Sequence, residues 1–145
     1  MFKHLALGVL LLAPSAANAS EWVFLGASEN VAFYVDTSTI KTSGNNRATW
    51  TKQVFKVPEK GVKELIEQFN FNCYQSTLSP LSTIHYGIDR RVVYSHTWPS
   101  YAQTVEPWGP DTFAEGLGKI ACGLRRGSPV FDPSADAAFR FAQNR

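Results

Sequence analysis

Lys63-Glu64-Leu65-Ile66-Glu67-Gln68-Phe69-Asn70-Phe71-Asn72-Cys73 decides the fold class. On an extended chain Leu65, Phe69, Phe71 and Cys73 fall on one side, and Glu64, Gln68, Asn70 and Asn72 on the other, with Ile66 and Glu67 as exceptions. This alternation predicts a strand with one buried and one wet face. A strand of a parallel sheet, covered on both sides, would read as a continuous apolar run. The sheet is therefore expected to be antiparallel.

Upstream, Gly44-Asn45-Asn46 tolerates positive φ and opens a long strand from Arg47 to Val57, which Pro58 to Gly61 is expected to break. Before it, Trp22 to Gly26 and Val31 to Val35 read as a hairpin around Ser28-Glu29-Asn30, and Asp36 to Ile40 as a capped turn. Downstream, Leu81 to Tyr86 and Val92 to Trp98 read as strands around Gly87-Ile88-Asp89. After a Pro-rich loop, Tyr101 to Pro110, a helix is predicted with Asp111 as N-cap and Glu115 in its first turn. Phe113, Leu117, Ile120 and Leu124 lie at helical spacing and Gly123 ends it. The fold class is thus α+β, an antiparallel sheet of about six strands with one C-terminal helix packed on it.

The chain has 145 residues, with 14 Lys and Arg against 12 Asp and Glu. A net charge of +2 gives no electrostatic case for a nucleic-acid partner, which needs a strongly basic face. Residues 1–19 read as a cleaved signal peptide: Lys3 and His4, an apolar run from Leu5 to Ala13, then Ala17-Asn18-Ala19 as the cleavage site. The apolar run is far shorter than the roughly 20 residues of a spanning helix, and no cysteine near the cut offers a lipid anchor. An exported protein, periplasmic or secreted and soluble after cleavage, is expected. Residues 20–124 form the sheet-and-helix domain, with nine basic and ten acidic residues. Residues 125–145 form a basic tail, four arginines against two aspartates. Ala135 to Ala142 could make a short helix there, docked by Phe131, Phe139 and Phe141 or left mobile.

Cys73 and Cys122 are the only cysteines. Export to an oxidising compartment points to an intramolecular disulfide between them, and their wide spacing lacks the Cys-x-x-Cys signature of a redox dithiol. On a helix, Cys122 lies opposite Phe113, so it reaches the sheet only from a frayed end or across the Ala114–Ala121 flank.

Enzyme-like readings find little support. His85 and His96 lie on neighbouring predicted strands. A turn near Asp89 sets Ser82 opposite His96 and Val93 opposite His85, so the rings leave opposite faces. Bringing them together needs Arg90-Arg91 as a tight turn, for which Arg is poorly suited. No metal site and no cofactor is expected. Serine-nucleophile, zinc-protease and phosphate-loop motifs do not occur. Glu67 on an apolar face is the one candidate general acid, in a small hydrolase-like reading. The commoner role is a paired or edge carboxylate. What remains is aromatic surface: Trp98, Tyr101 and Trp108 around the Pro-rich loop, near Arg90 and Arg91, are residue types that anchor protein interfaces. The bland alternative has Trp98 and Trp108 capping the core. An edge strand pairing across a dimer axis is a second candidate interface.

Several features in order carry a resemblance: Trp22-Val23 with Gly26, Tyr34-Val35-Asp36 with Ile40, Trp50, Phe69-x-Phe71-x-Cys73, Trp108 with Pro110, and Glu115 before Ala121-Cys122. Together they resemble the surface-adhesin protein E family. The resemblance implies an antiparallel sheet of about six strands with a C-terminal helix, and a bonded Cys73–Cys122 pair. It implies a non-enzymatic domain able to dimerise and to bind host matrix or serum proteins such as vitronectin, laminin and plasminogen. The chain departs from the family in lacking a lipid-attachment cysteine and in its tail after Gly123. A periplasmic envelope or assembly factor would share the same features.

Overall fold

The computed structural model describes residues 19–143. The expected signal peptide lies outside these residues except for its last residue, Ala19. Among the described residues nine strands form one sheet: β1 (Trp22–Ala27), β2 (Val31–Asp36), β3 (Lys41–Ser43), β4 (Asn46–Glu59), β5 (Val62–Asn72), β6 (Thr77–Tyr86), β7 (Val92–Thr97), β8 (Glu106–Pro107) and β9 (Ser128–Val130). Two α-helices, α1 (Phe113–Ala121) and α2 (Pro133–Gln143), accompany them. The main path runs β7-β6-β5-β4-β2-β1-β9, every pair antiparallel, with β3 beside β4 and β8 beside β6. Antiparallel α+β architecture is as expected; six strands and one helix undercount it.

The extra elements have local causes. Gly44 (φ 56) permits the tight turn that folds β3 back on β4. Pro58 does not break β4. The ladder with β5 is already interrupted between Val54 and Glu59, so no hydrogen bond is asked of the missing N–H. The turn comes at Lys60 (φ 48) and Gly61 (φ 81), a pair of positive φ values that suits the twist of a hairpin. β6 starts at Thr77, four residues earlier than expected, because Pro80 sits beside the bulge opposite Gln68 and Phe69.

β5 is half-buried along nearly its whole length. The sheet is covered on both faces, so Ile66, which lies on the face of Tyr34 opposite Leu65 and Phe69, is no exception, while Glu67 remains a polar residue on the face of Leu65. On one face α1 packs Leu117, Ile120 and Ala121 against Val23, Leu25, Val35 and Phe71, with Phe113 stacked on Phe33 at 3.8 Å. Thr112, not Asp111, is its N-cap: its Oγ1 accepts from the Glu115 N–H at 3.2 Å while Glu115 accepts from the Asp111 N–H at 3.0 Å. Leu124 lies beyond the helix and is exposed; Ala121 takes the buried position.

The opposite face is closed by the segment expected as a tail. β9 pairs with β1, and α2 buries Ala137 and Phe141 on Ala32, Tyr34 and Val54. Of its three phenylalanines only Phe141 docks; Phe131 and Phe139 are exposed. The Tyr34 hydroxyl donates to Asp136 at 2.9 Å, and Asp136 also receives Arg140 at 2.7 Å. Burial, and then Asp136, push the Tyr34 phenol above its usual range, so it remains a donor.

Cys73 and Cys122 are bonded, with Cα atoms 5.8 Å apart. Helix α1 stops at Ala121, and Cys122 is its C-cap with ψ 2. Gly123 at φ 72 then turns the chain, as Leu124 N–H returns to Lys119 O at 2.8 Å. The helix ends early, which frees Cys122 from the helical direction that opposed Phe113.

Candidate functional site

Beyond the reach of α1, strands β4 to β7 continue the same face as a platform. Cross-strand register lines up Thr51, Glu67, Thr83 and His96 in one row, and Gln53, Leu65, His85 and Tyr94 in the next. His85 and His96 therefore share a face as diagonal neighbours, which corrects the expectation of opposite faces. The cause is the turn. Gly87 to Arg91 closes with Arg90 at φ 62, and one residue is inserted at Val92/Val93, so Thr83 rather than Ser82 meets His96. His85 Nε2 lies 3.1 Å from the Thr83 hydroxyl and its ring meets Tyr94 edge-on at 4.9 Å; His96 meets Trp98 at 4.8 Å. Among the described residues no three His, Cys, Asp or Glu side chains gather into a metal-holding group.

Burial pushes the Glu67 carboxyl above its usual range, and the Gln53 Nε2 hydrogen bond at 3.1 Å pulls the other way. The groove on this face, about 460 Å³, is lined by Phe55, Leu65, His85 and Tyr94 among others, and Glu67 does not line it. That arrangement is a partnered carboxylate outside the groove. A carboxyl raised in the native state holds full stability below its unfolded value near 4.5 and loses it as pH climbs through the raised one. Glu67→Gln keeps the acceptor for Gln53 and deletes the charge. Its urea midpoint should exceed that of the unsubstituted protein at pH 7 and converge with it at pH 4; an equal offset at both would exclude the carboxyl as the source.

The aromatic cluster divides. Trp108 belongs to the core, only 9% exposed, edge-on to Phe71 at 6.2 Å. Gly118 exists for it: a Cβ there would lie 2.5 Å from the indole. The loop that carries it folds back through β8, and Trp108 N–H donates to Ser76 O at 2.8 Å. Trp98 is half-buried and Tyr101 is 90% exposed. Arg90 and Arg91 are exposed at the opposite end of β7, some seven residues or about 20 Å from Trp98, so the five residues do not form one patch. What joins the two ends is β7 itself, whose six residues are all exposed and which ends the strand order. Its sequence signal was the run Val92 to Thr97, free of Lys, Arg, Asp, Glu and Pro.

The profile of the surface-adhesin protein E family matches residues 22–123, from β1 to the glycine after the disulfide. The chain belongs to the surface-adhesin protein E family. Of curated proteins, none matches the sequence. Crystal form II of Haemophilus influenzae protein E superposes with a TM-score of 0.51 at 16% identity, over 79% of this chain and 97% of that one. The selenomethionine form of Haemophilus influenzae protein E gives 0.51 at 17% identity, over 77% and 93%. At such identity the likeness is one of fold. Helix α2 and strand β9 lie beyond the residues that the protein E family profile matches. No helix among the described residues is long and apolar enough to cross a membrane.

Proposed function

We propose that this chain is an exported, non-enzymatic protein-binding domain of the protein E type, and that its contact surface runs along β7 from Arg90 and Arg91 to Trp98 and Tyr101. The supporting observation is the edge strand itself. Soluble domains blunt a sheet edge with charge, proline, a short strand or a bulge, and of these β7 has only the bulge at Val93, beside its turn, over six exposed residues. Trp98 and Tyr101 extend it with area that costs little rotamer entropy to bury. Trp108, in the core, is left out of the surface.

The ligand class carried over from the family is a host matrix or serum protein such as vitronectin, laminin or plasminogen. Replacing Trp98 and Tyr101 by alanine should weaken binding to immobilised vitronectin, laminin or plasminogen about tenfold or more, with thermal unfolding as the check on fold. Unchanged affinity in the folded double variant would refute the surface. A periplasmic envelope factor is the second reading, favoured by the lack of a cysteine near the expected cleavage site. Fractionation separates them, since an adhesin must be found on the cell surface or in the medium. Self-association through the same uncharged edge is the corresponding proposal for a homodimer.

A further inference from the structure

We propose that the cavity between strands β4 to β6 and the start of α2 binds a free α-amino acid through both of its charged groups. The site lies on the Tyr34 face of the sheet, behind the groove of Leu65 and His85, and does not rest on the protein-binding reading. Tyr34 pairs with Lys52 and Lys52 with Ile66, while Glu64 pairs with Tyr86 in the next row, so Lys52, Ile66, Glu64 and Tyr86 form its floor. Asp132 and Ser134, where α2 begins, form one wall, and Arg90 borders it from the turn between β6 and β7. Its volume is about 300 Å³, at the small end for ligand pockets.

The lining holds two cations, Lys52 and Arg90, and two carboxylates, Glu64 and Asp132. Charges that served only to hold the fold would close into tight pairs across so small a space, and these do not. Lys52 Nζ stops 3.5 Å from Glu64 and 5.0 Å from the Trp22 ring centroid, too far for a good hydrogen bond, although its side chain is only 13% exposed. Among the described residues neither Arg90 nor Asp132 forms an ion pair. Other partners hold the acids in place: Glu64 accepts from the Ser134 hydroxyl, and Asp132 accepts from the Ser134 N–H at 2.9 Å. A nearly buried ammonium with so long a contact is costly, and an incoming carboxylate oxygen supplies what it lacks. A lone anion would face Glu64 and Asp132, and a lone cation would face Lys52 and Arg90. Only a ligand that brings both signs complements all four, and an α-amino acid carries both within the span of this cavity. Arg90 adds a further sign. It sits at φ 62, where glycine is the unstrained choice, and that strain persists at a residue that borders the cavity.

The test titrates the disulfide-intact protein with each of the standard amino acids at pH 7 by calorimetry, and then with the N-acetyl and amide derivatives of those that bind. At least one amino acid should bind, and removing either charge, by acetylating the amine or amidating the carboxyl, should weaken it about tenfold or more. Lys52→Met keeps an unbranched side chain beside Trp22 and deletes the cation, and should weaken binding about tenfold or more. Because Lys52 is on β4, this variant leaves the proposed protein surface along β7 intact. Arg90→Gly should weaken binding to the same degree while its thermal midpoint stays equal or rises, since glycine relieves the positive φ. A protein that is no less stable and no longer binds has lost a ligand site rather than a structural ion cluster. Should Lys52→Met fail to fold, Arg90→Gly decides alone. The proposal is overturned if no amino acid binds, if either derivative binds as well as its parent, if either folded variant binds as well as the unsubstituted protein, or if the Arg90→Gly midpoint falls together with its affinity.

Discussion

A chain ending at Leu124 should unfold at markedly lower denaturant concentration than the full protein, losing about 3–5 kcal/mol, and should bind a hydrophobic dye in its native state. The cut removes β9 and α2 and so uncovers one face of the sheet. Phe141 and Ala137 no longer bury, and Ala32, Tyr34 and Val54 become wet. Full burial of one phenylalanine contributes about 2–3 kcal/mol, and the residues it covers contribute again. Two polar losses add to this. Tyr34 loses Asp136 as acceptor, and Glu64 loses its hydrogen bond from Ser134. Arg140, stacked 3.4 Å from the Phe24 ring centroid, also leaves. The entropy released by a free tail offsets part of the sum, which is why the figure is smaller than the contacts suggest. Equal guanidinium midpoints for the full and shortened chains would show that the segment only decorates the sheet.

Residue-level periodicity reached the strands but not their neighbours. The alternation from Lys63 to Cys73 located β5, and the runs at Trp22, Val31, Arg47 and Val92 located β1, β2, β4 and β7 to within a few residues. Ile66 was the hint that the second face is also covered, and it read as noise because α2 begins 67 positions later in sequence. Short strands such as β3, β8 and β9 have no period to detect and exist only through pairing. The histidine register failed by one residue. Its outcome hung on Arg90 at φ 62, a conformation that composition gives no reason to expect. Trp108 was open between surface and core: a Trp beside prolines looks the same whether its loop folds away or back, and a two-residue pairing with Thr77 and Leu78 decides for the core. The candidate surface was legible only in its ends, the arginines and Trp98. Its middle carried a signal in the residues it lacks, and reading that signal requires knowing that β7 lies at an edge.

Replacing Cys73 and Cys122 by serine should lower stability by about 4 kcal/mol, the chain-entropy estimate for closing a loop of this length. For a domain of this size that corresponds to a fall in thermal midpoint of about 15 °C. The loop spans 49 positions and includes β6, β7, β8 and α1, so the bond restrains most of the second half of the domain. Helix α1 depends on it in particular. Nine residues, with Gly116 and Gly118 among them, make a helix that is marginal alone. Gly118 cannot become a better helix former because the Trp108 indole occupies the space of its Cβ. The helix thus trades propensity for close packing, and the bond at its C-cap keeps it near Phe71 and Trp108 while that packing forms. Reductant should reproduce the shift in the unsubstituted protein and have no effect on the double variant. The apolar contacts of α1 with Val23, Leu25 and Val35 survive in both, so the reduced protein should still fold at low temperature. A midpoint that neither reductant nor substitution moves would mean that packing alone seats the helix and that the unfolded chain is already compact across this loop.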